Sequence, residues 1–410
     1  MRVSTVGGRT PITVQQADEA ILAQLSVLPA EMKPLDRCVG HTLRQDVFAE
    51  RDNPPFDRVC MDGIAIASAA FQSGVRRFLI ESMQRAGVPG LRLSNPANAV
   101  EVMTGAMVPA GTDCIIPLEE YEQEGDIAAL KPQAFADVSR NVQRRGEDSQ
   151  PGVPMLRSGI RLGAAEIAVA ASAGLAHISV TRQPRIIAIS TGDELIEPGK
   201  PILEYQVRRS NAYAIVALLR DRGYGQVSDD HIRDNEAALT ERLTRHLSEQ
   251  DVLILSGGVS KGKFDLVPKV LEKVGVKQIL YRVAQRPGMP MYFGVGPAGQ
   301  AVFGLPGNPV ATSICLVRYV LAALIYMSGR GQLAPSYMPL ARAVPRGRIV
   351  ATYFLPVAVQ MDERGAPTAV PAPPNGPGDF LALTQTHGFL ELPPQAAPFA
   401  AGHVARFHSW

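Results

Sequence analysis

Between Arg185 and Arg330 the sequence repeats one unit three times: a short apolar run, a loop rich in glycine or proline, then a stretch with helical spacing. Strands without a polar face need cover on both sides, so this segment predicts a central parallel α/β sheet between two layers of helices. The first run, RIIAIS, leads into Thr191-Gly192-Asp193-Glu194. The second, VLILS, leads into Gly257-Gly258-Val259-Ser260-Lys261-Gly262, and the third, AVFGL, into Pro306-Gly307-Asn308-Pro309. Ser210 or Asn211 is placed to cap a helix carrying Ile215, Leu218 and Leu219 and closing at Gly223; Asn235 is placed to cap one carrying Leu239, Leu243 and Leu247. Asn308 suits an N-cap and Pro309 the first helical turn, where proline's missing N–H has no partner to lose.

The chain of 410 residues has room for about two to four domains. Residues 1–50 and 141–183 are expected to form a mixed N-terminal domain, with 1–28 packing on the α/β domain, and 51–140 an inserted β-rich domain. The α/β domain is expected over 184–330. Val14 to Leu28 has the spacing of an amphipathic helix through Ala17, Ile21 and Leu25. Residues 331–410 hold twelve of the 33 prolines, which forbids long helices and predicts a small β-barrel-like domain with strands in TYFLPVAV and HGFLEL. The apolar run from Val310 to Met327 carries Arg318 near its middle, and a charge there costs about 2.5–3.5 kcal/mol on insertion. It is expected to be a core or interface helix, with no membrane role.

Forty-one basic against 39 acidic residues leave too little net charge for a general polyanion binder, so no nucleic acid partner is expected. Cys38, Cys60, Cys114 and Cys315 are too far apart for a metal knuckle or a disulfide framework, and the N-terminal stretch lacks a secretory apolar run; both point to the cytoplasm. His403 and His408 are the one histidine pair at metal spacing and are expected at the surface. The SGGVSKG loop is neither a Walker loop nor a GxGxxG, and the isolated cysteines give nucleophilic catalysis weak support.

In an open parallel sheet the loops leaving the carboxyl ends of the strands line one crevice, which makes that crevice the default site. SGGVSKG offers successive main-chain N–H groups without bulky side chains, a construction suited to phosphate, although a Gly-Gly after a strand is also an ordinary tight turn. Lys261 and Lys263 fit either phosphate contact or solvation. Asp193, Glu194 and Asp265 set negative charge beside that anion site. A divalent cation between carboxylates and phosphate oxygens resolves the repulsion, and oxygen ligands favour magnesium. Taken singly, each carboxylate fits a helix cap or an arginine partner equally well.

The ordered set STGDEL, SNAYAIVALL, SGGVSKGKFD and LPGNPV, with PFDRVCMDG, VMTGAMVPAGTD and RRGEDSQPG upstream, resembles the molybdopterin molybdenumtransferase family, which includes the E domain of gephyrin. The resemblance implies an elongated subunit of four domains and a homodimer whose crevice takes residues from both chains. It implies transfer of molybdate to the dithiolene of adenylylated molybdopterin with magnesium-dependent release of AMP, and transient contact with other proteins of cofactor biosynthesis. By the same resemblance Asp62, Thr104, Asp148, Glu194 and Asp265 fall in the reaction machinery. Asp234 and Asp265 would position metal or hydrated molybdate, Glu194 and Asp148 would order it, with Glu194 also among the metal ligands, and Ser256 to Ser260 would meet ligand phosphate.

The match is incomplete. Where the family usually carries Asn-Ser this chain has Arg58-Val59; where it carries an acidic residue it has Lys263. Arg286 and Met289 stand for lysines, Pro356 for an arginine, and Pro377-Gly378 for Ser-Gly. Several of these positions would face anions, so positive charge is redistributed. Two rivals to the enzyme follow: a pterin-binding paralogue without turnover, and a scaffold protein.

Overall fold

The computed structural model describes residues 10–258, 266–331, 334–345, 350–376 and 378–410. Its centre is a six-stranded sheet. The elements in chain order are β1 (Ile186–Thr191), α1 (Asn211–Asp221), β2 (Val227–Ile232), α2 (Glu236–Glu249), β3 (Val252–Ser256), α3 (Val267–Lys273), β4 (Lys277–Arg282), β5 (Pro290–Val295), β6 (Ala301–Leu305), α4 (Pro309–Cys315) and α5 (Leu321–Met327). The strand order is β2-β1-β3-β6-β5-β4. The first four are parallel, as their apolar runs predict, whereas β5 runs antiparallel to both β6 and β4. The sheet is therefore mixed and not wholly parallel, because the short turn at 296–300 returns the chain as a hairpin instead of a helical crossover.

Every residue of β1, β3 and β6 is buried. Alternate side chains explain why. Ile186, Ala188, Val252, Ile254 and Phe303 face a core shared with Ile215 and Leu219 of α1 and with α4 and α5. Ile187, Ile189, Leu253, Leu255 and Val302 face the other, shared with Leu239, Leu243 and Leu247 of α2 and Val267, Val270 and Leu271 of α3. Two apolar faces on one strand leave no polar position to alternate.

The amphipathic stretch after Thr13 is helical only over Val14–Leu22, shorter than the expected 14–28: the i−4 ladder ends with Ala23 N–H on the Glu19 carbonyl, and Gln24 and Leu25 turn back on Ile21 and Leu22 through tighter i−3 bonds. Leu25 and Leu28 still join Ala17 and Ile21 in the core against the α/β sheet. Strand Ala30–Pro34 pairs with His177–Thr181, and Val47–Phe48 with Pro154–Leu156, so both chain segments share one core around Leu43, Val47, Leu162 and Ile178. Between them a second six-stranded sheet, including Gly63–Ile66, Ala99–Val102 and Cys114–Pro117, carries its own cores on its two faces.

In the C-terminal region Thr352–Met361 pairs with Gly388–Leu392, which pairs with Val404–Ser409, which pairs with Ser336–Pro339. Pro367–Pro371 pairs with the first of these, and a bridge from Ala369 to Leu340 closes the circuit. His408, expected at the surface, is packed inside. Its ring stacks on Phe389 at 4.9 Å and its Nε2 donates to Glu391 at 2.9 Å, because alternation sends Ala405 and Phe407 into the barrel core and His408 to the opposite face, where Phe389 joins the core of the α/β domain. Pro309–Met327 is long and apolar enough to cross a membrane, yet it is mostly buried within the fold. A π-helical turn, Leu316–Val320, interrupts it and carries Arg318.

Candidate functional site

The carboxyl ends of β1, β3 and β6 lie in register, with Ser190 beside Ser256 and Ser256 beside Leu305. Strand order reverses between β1 and β3, the position at which an α/β sheet opens a crevice. A cavity of about 360 Å³ sits there, lined by Thr191, Glu194, Ser210, Asn211, Ser256, Gly257, Gly307 and Pro309 among the expected residues. Gly258, Gly192, Pro306 and Asn308 adjoin them in the same three loops.

Local chemistry fixes these loops. Gly257 and Gly258 adopt φ of 90° and 63°, and a Cβ on Gly258 would lie 2.6 Å from Thr191 Oγ1 and 2.8 Å from Val267 Cγ2. Only glycine meets both conditions. The Glu194 carboxylate lies against Gly192, where a Cβ would come within 2.6 Å of it. Asn308 accepts from the N–H groups of Val310 and Ala311 at 2.9 and 3.2 Å and caps α4; Asn235 caps α2 through Ala238 N–H at 3.0 Å. Ser210 and Asn211 do not cap α1 with a side chain. Asn211 instead donates its amide to the Gly307 carbonyl at 2.9 Å, binding the start of α1 to the loop after β6. The hydroxyls of Ser190 and Thr191 are buried without a hydrogen-bond partner among the described residues. Buried polar atoms are nearly always paired, so two orphans in one cavity wall mark a place for ligand oxygens.

Several lining groups were not legible beforehand. Arg209 is buried, with ion pairs to Glu197 at 2.7 Å and Asp229 at 2.5 Å; burial pulls its guanidinium down, but its hydrogen bond and ion pair with Asp229 outweigh that and raise it. His231 Nε2 donates to the Gly192 carbonyl at 2.9 Å and steadies the loop after β1. Gly378 and Phe380 arrive from the C-terminal region. Of these, Gly378 was marked in the sequence through Pro377-Gly378, where the family carries Ser-Gly, and Arg209 only by a basic pair, which in a loop is usually solvated.

The expected residues fall into groups. Asp193 is exposed and outside the lining, and Asp234 stands on the adjacent loop after β2. Val259, Ser260, Lys263 and Asp265, with Lys261, lie outside the described residues. Among the described residues no three His, Cys, Asp or Glu side chains gather as a metal centre. Asp62, Thr104 and Asp148 lie in the N-terminal region. Asp62 accepts from Thr104 N–H and hydroxyl at 2.6 and 2.8 Å, which holds its carboxyl below the usual range. Asp148 accepts from Gln143 at 2.9 and 3.0 Å, and Gln143 accepts from Arg58. No hydrogen bond or ion pair among the described residues joins this group to the crevice.

A second cavity, about 420 Å³, adjoins the first at Asn308 and is lined by Arg286, Met289, Val310, Tyr353, Pro356 and Pro373 among others. Arg286 is its one charged residue among those described, and Pro377 lies outside them.

Three family models match the chain in order: "MoeA N-terminal region (domain I and II)" over residues 12–174, "Probable molybdopterin binding domain" over 187–325 and "MoeA C-terminal region (domain IV)" over 338–410. A molybdopterin molybdenumtransferase of a Synechocystis species is 35% identical over 401 residues, covering 97% of this chain and 100% of the relative. One from Staphylococcus aureus is 30% identical over 411 residues, covering 97% and 95%. A molybdopterin biosynthesis MoeA protein from Pyrococcus horikosii, 26% identical, superposes with a TM-score of 0.77 over 98% of this chain and 99% of its own.

Proposed function

Because the chain belongs to the molybdopterin molybdenumtransferase family, the transferases of molybdenum cofactor biosynthesis, we propose that its crevice takes adenylylated molybdopterin and molybdate and yields molybdenum cofactor and AMP. The observation that carries this reading is the cavity at the β1/β3 edge. There a glycine turn, two hydroxyls without a partner among the described residues and the Glu194 carboxylate share one wall.

In this reading the Gly257-Gly258 turn and Ser256 to Ser260 bind the phosphate side of the ligand, and Ser190 and Thr191 donate to its oxygens. Asn308 keeps the N-terminus of α4, with its partial positive charge, facing the same anion. The donor set also fits magnesium, since Glu194 offers carboxylate oxygens beside neutral hydroxyls, a hard-oxygen environment. Glu194, Asp234 and Asp265 would hold the ion, which supplies charge neutralisation at the phosphate as AMP departs. Arg209 and His231 keep the walls in place. Asp62, Thr104 and Asp148 act from a second subunit, in a cytoplasmic homodimer of elongated subunits, a reading supported by the Asp62–Thr104 and Asp148–Gln143 pairs being held within the N-terminal region with no hydrogen bond to the crevice among the described residues.

The test supplies purified protein with adenylylated molybdopterin, magnesium and molybdate, and follows AMP and metallated cofactor. Product from the native chain, with loss in Glu194→Gln and Asp265→Asn, is expected; absence of product overturns the assignment. One observation favours a second reading. The adjoining cavity holds Arg286 as its only described charge, so binding without turnover would identify a pterin-holding paralogue.

A further inference from the structure

We propose that the cleft where the N-terminal mixed unit meets the α/β domain, lined by His41, Arg161, Arg222 and Arg330, binds one free tetrahedral oxyanion of phosphate or sulfate size. This cleft is not the reaction crevice. Helix α1 begins at the crevice with Asn211 and runs eleven residues, so at 1.5 Å per residue its far end, followed by Arg222 to Tyr224, stands about 16 Å away.

Charge makes the first argument. Of the four arginines lining the cleft, Arg182 is neutralised by Asp251 at 2.7 and 3.0 Å. Arg222 donates to the main-chain oxygens of Ser409 and Trp410. Arg161 and Arg330 make no ion pair among the described residues, yet they act on each other: burial first, and then repulsion from Arg161, hold the Arg330 guanidinium below its ordinary value. The Tyr224 hydroxyl is pushed up to about 12 by burial, with both arginines opposing the shift, which puts it beside the same pair. Arg161 is exposed and Arg330 half-buried, so what sets the pair apart is two like charges facing one cleft without a carboxylate, a repulsion that an anion between them would relieve.

Polarity and size make the second. His41 is 8% exposed, and its Nε2 has no hydrogen-bond partner among the described residues. Its Nδ1 lies 3.4 Å from the Val39 carbonyl, which only accepts, so Nε2 donates to an anion when the ring is protonated or when it gives up that long bond. The cavity measures about 60 Å³, against roughly 10–15 Å³ for one water. That is room for about five small atoms, the content of an XO4 group, and too little for a nucleotide. Attraction of cations to helix C-termini explains why Arg222 follows α1 and Arg330 follows α5. It does not explain Arg161, which comes from the N-terminal unit, where it bridges Thr42.

The experiment titrates the full-length protein with inorganic phosphate, sulfate and AMP in separate arms, at ionic strength held constant with chloride, by calorimetry. Phosphate and sulfate are expected to bind, and Arg161→Gln and Arg330→Gln to weaken that binding about tenfold or more, the loss of one charge-assisted contact. The melting temperature of Arg330→Gln without phosphate is expected to be no lower than that of the native chain, since repulsion is relieved; a structural ion pair would give the opposite. Arg161→Lys, which keeps the charge, is expected to retain binding and guards against a variant that fails to fold. Unchanged phosphate affinity in both glutamine variants, a loss of binding in Arg161→Lys equal to that in Arg161→Gln, or AMP binding that these variants weaken and that is tighter than phosphate, overturns the proposal.

Discussion

Gly258 has no room for a side chain, since Thr191 and Val267 close on it from two sides and its backbone is left-handed. Gly258→Ala is expected to cost about 1–3 kcal/mol of stability and to raise KM for the adenylylated ligand, checked by thermal melts and AMP-release kinetics. Glu194 behaves in the opposite way. It is exposed, so Glu194→Gln should leave stability within about 0.5 kcal/mol while lowering AMP release about a hundredfold, as removal of one group that acts on developing charge does. A melt shifted as far as that of Gly258→Ala would assign Glu194 to structure. At this scale the glycine turn and the caps at Asn235 and Asn308 were legible in the sequence, because each depends on neighbours within a few positions. Arg209, His231 and Phe380 were not. Their roles depend on partners such as Asp229 and Gly192 that only the sheet brings near.

Among the elements, the interrupted helix Pro309–Met327 shows what a single charge in an apolar run means. Arg318 is 5% exposed and donates to Asp18 of the N-terminal helix at 2.8 and 2.7 Å and to Glu391 of the C-terminal region at 2.9 Å. It thus joins three parts of the chain inside their shared core. Arg318→Met leaves Glu391 with His408 alone and Asp18 to solvent, and is expected to cost about 2–3 kcal/mol, read from chemical denaturation. Burial pushes the Glu391 carboxyl up, but the hydrogen bond from His408 and the Arg318 charge outweigh it and hold it at about 2, below its ordinary 4.5. A depressed carboxyl contributes stability above its unfolded value and loses it as pH falls through its folded one. Glu391→Gln should therefore destabilise the chain at pH 7 by on the order of 3 kcal/mol, and the gap to the native chain should narrow between pH 4.5 and 2. The buried character of this run was legible from Arg318 itself. The π-helical turn was not, because it answers to partners some 300 and 73 positions away.

Across the whole molecule, the expected residues separate into a crevice group and an Asp62–Thr104–Asp148 group. If each reaction site takes one group from each subunit, two inactive variants should repair each other. Mixing Asp62→Asn with Glu194→Gln and allowing subunit exchange is expected to restore about a quarter of native AMP release, since half the dimers are mixed and half their sites are intact. No recovery after demonstrated exchange would place both groups in one chain's site. The sequence carried the α/β domain well because its two-faced strands have one way to be covered. It carried the flanks less well: pairing of 30–34 with 177–181 spans well over a hundred residues and leaves no local period.

Phe380 and Gly378 stand in the crevice wall, although the barrel they belong to is packed around Leu355, Leu390 and Phe399, apart from the strands that end at Thr191. Any occupant of the crevice consequently presses on two bodies and works as mortar between them. Cleavage by a protease at the junction around residue 331 should slow when the pocket is filled, even by a ligand that never reacts.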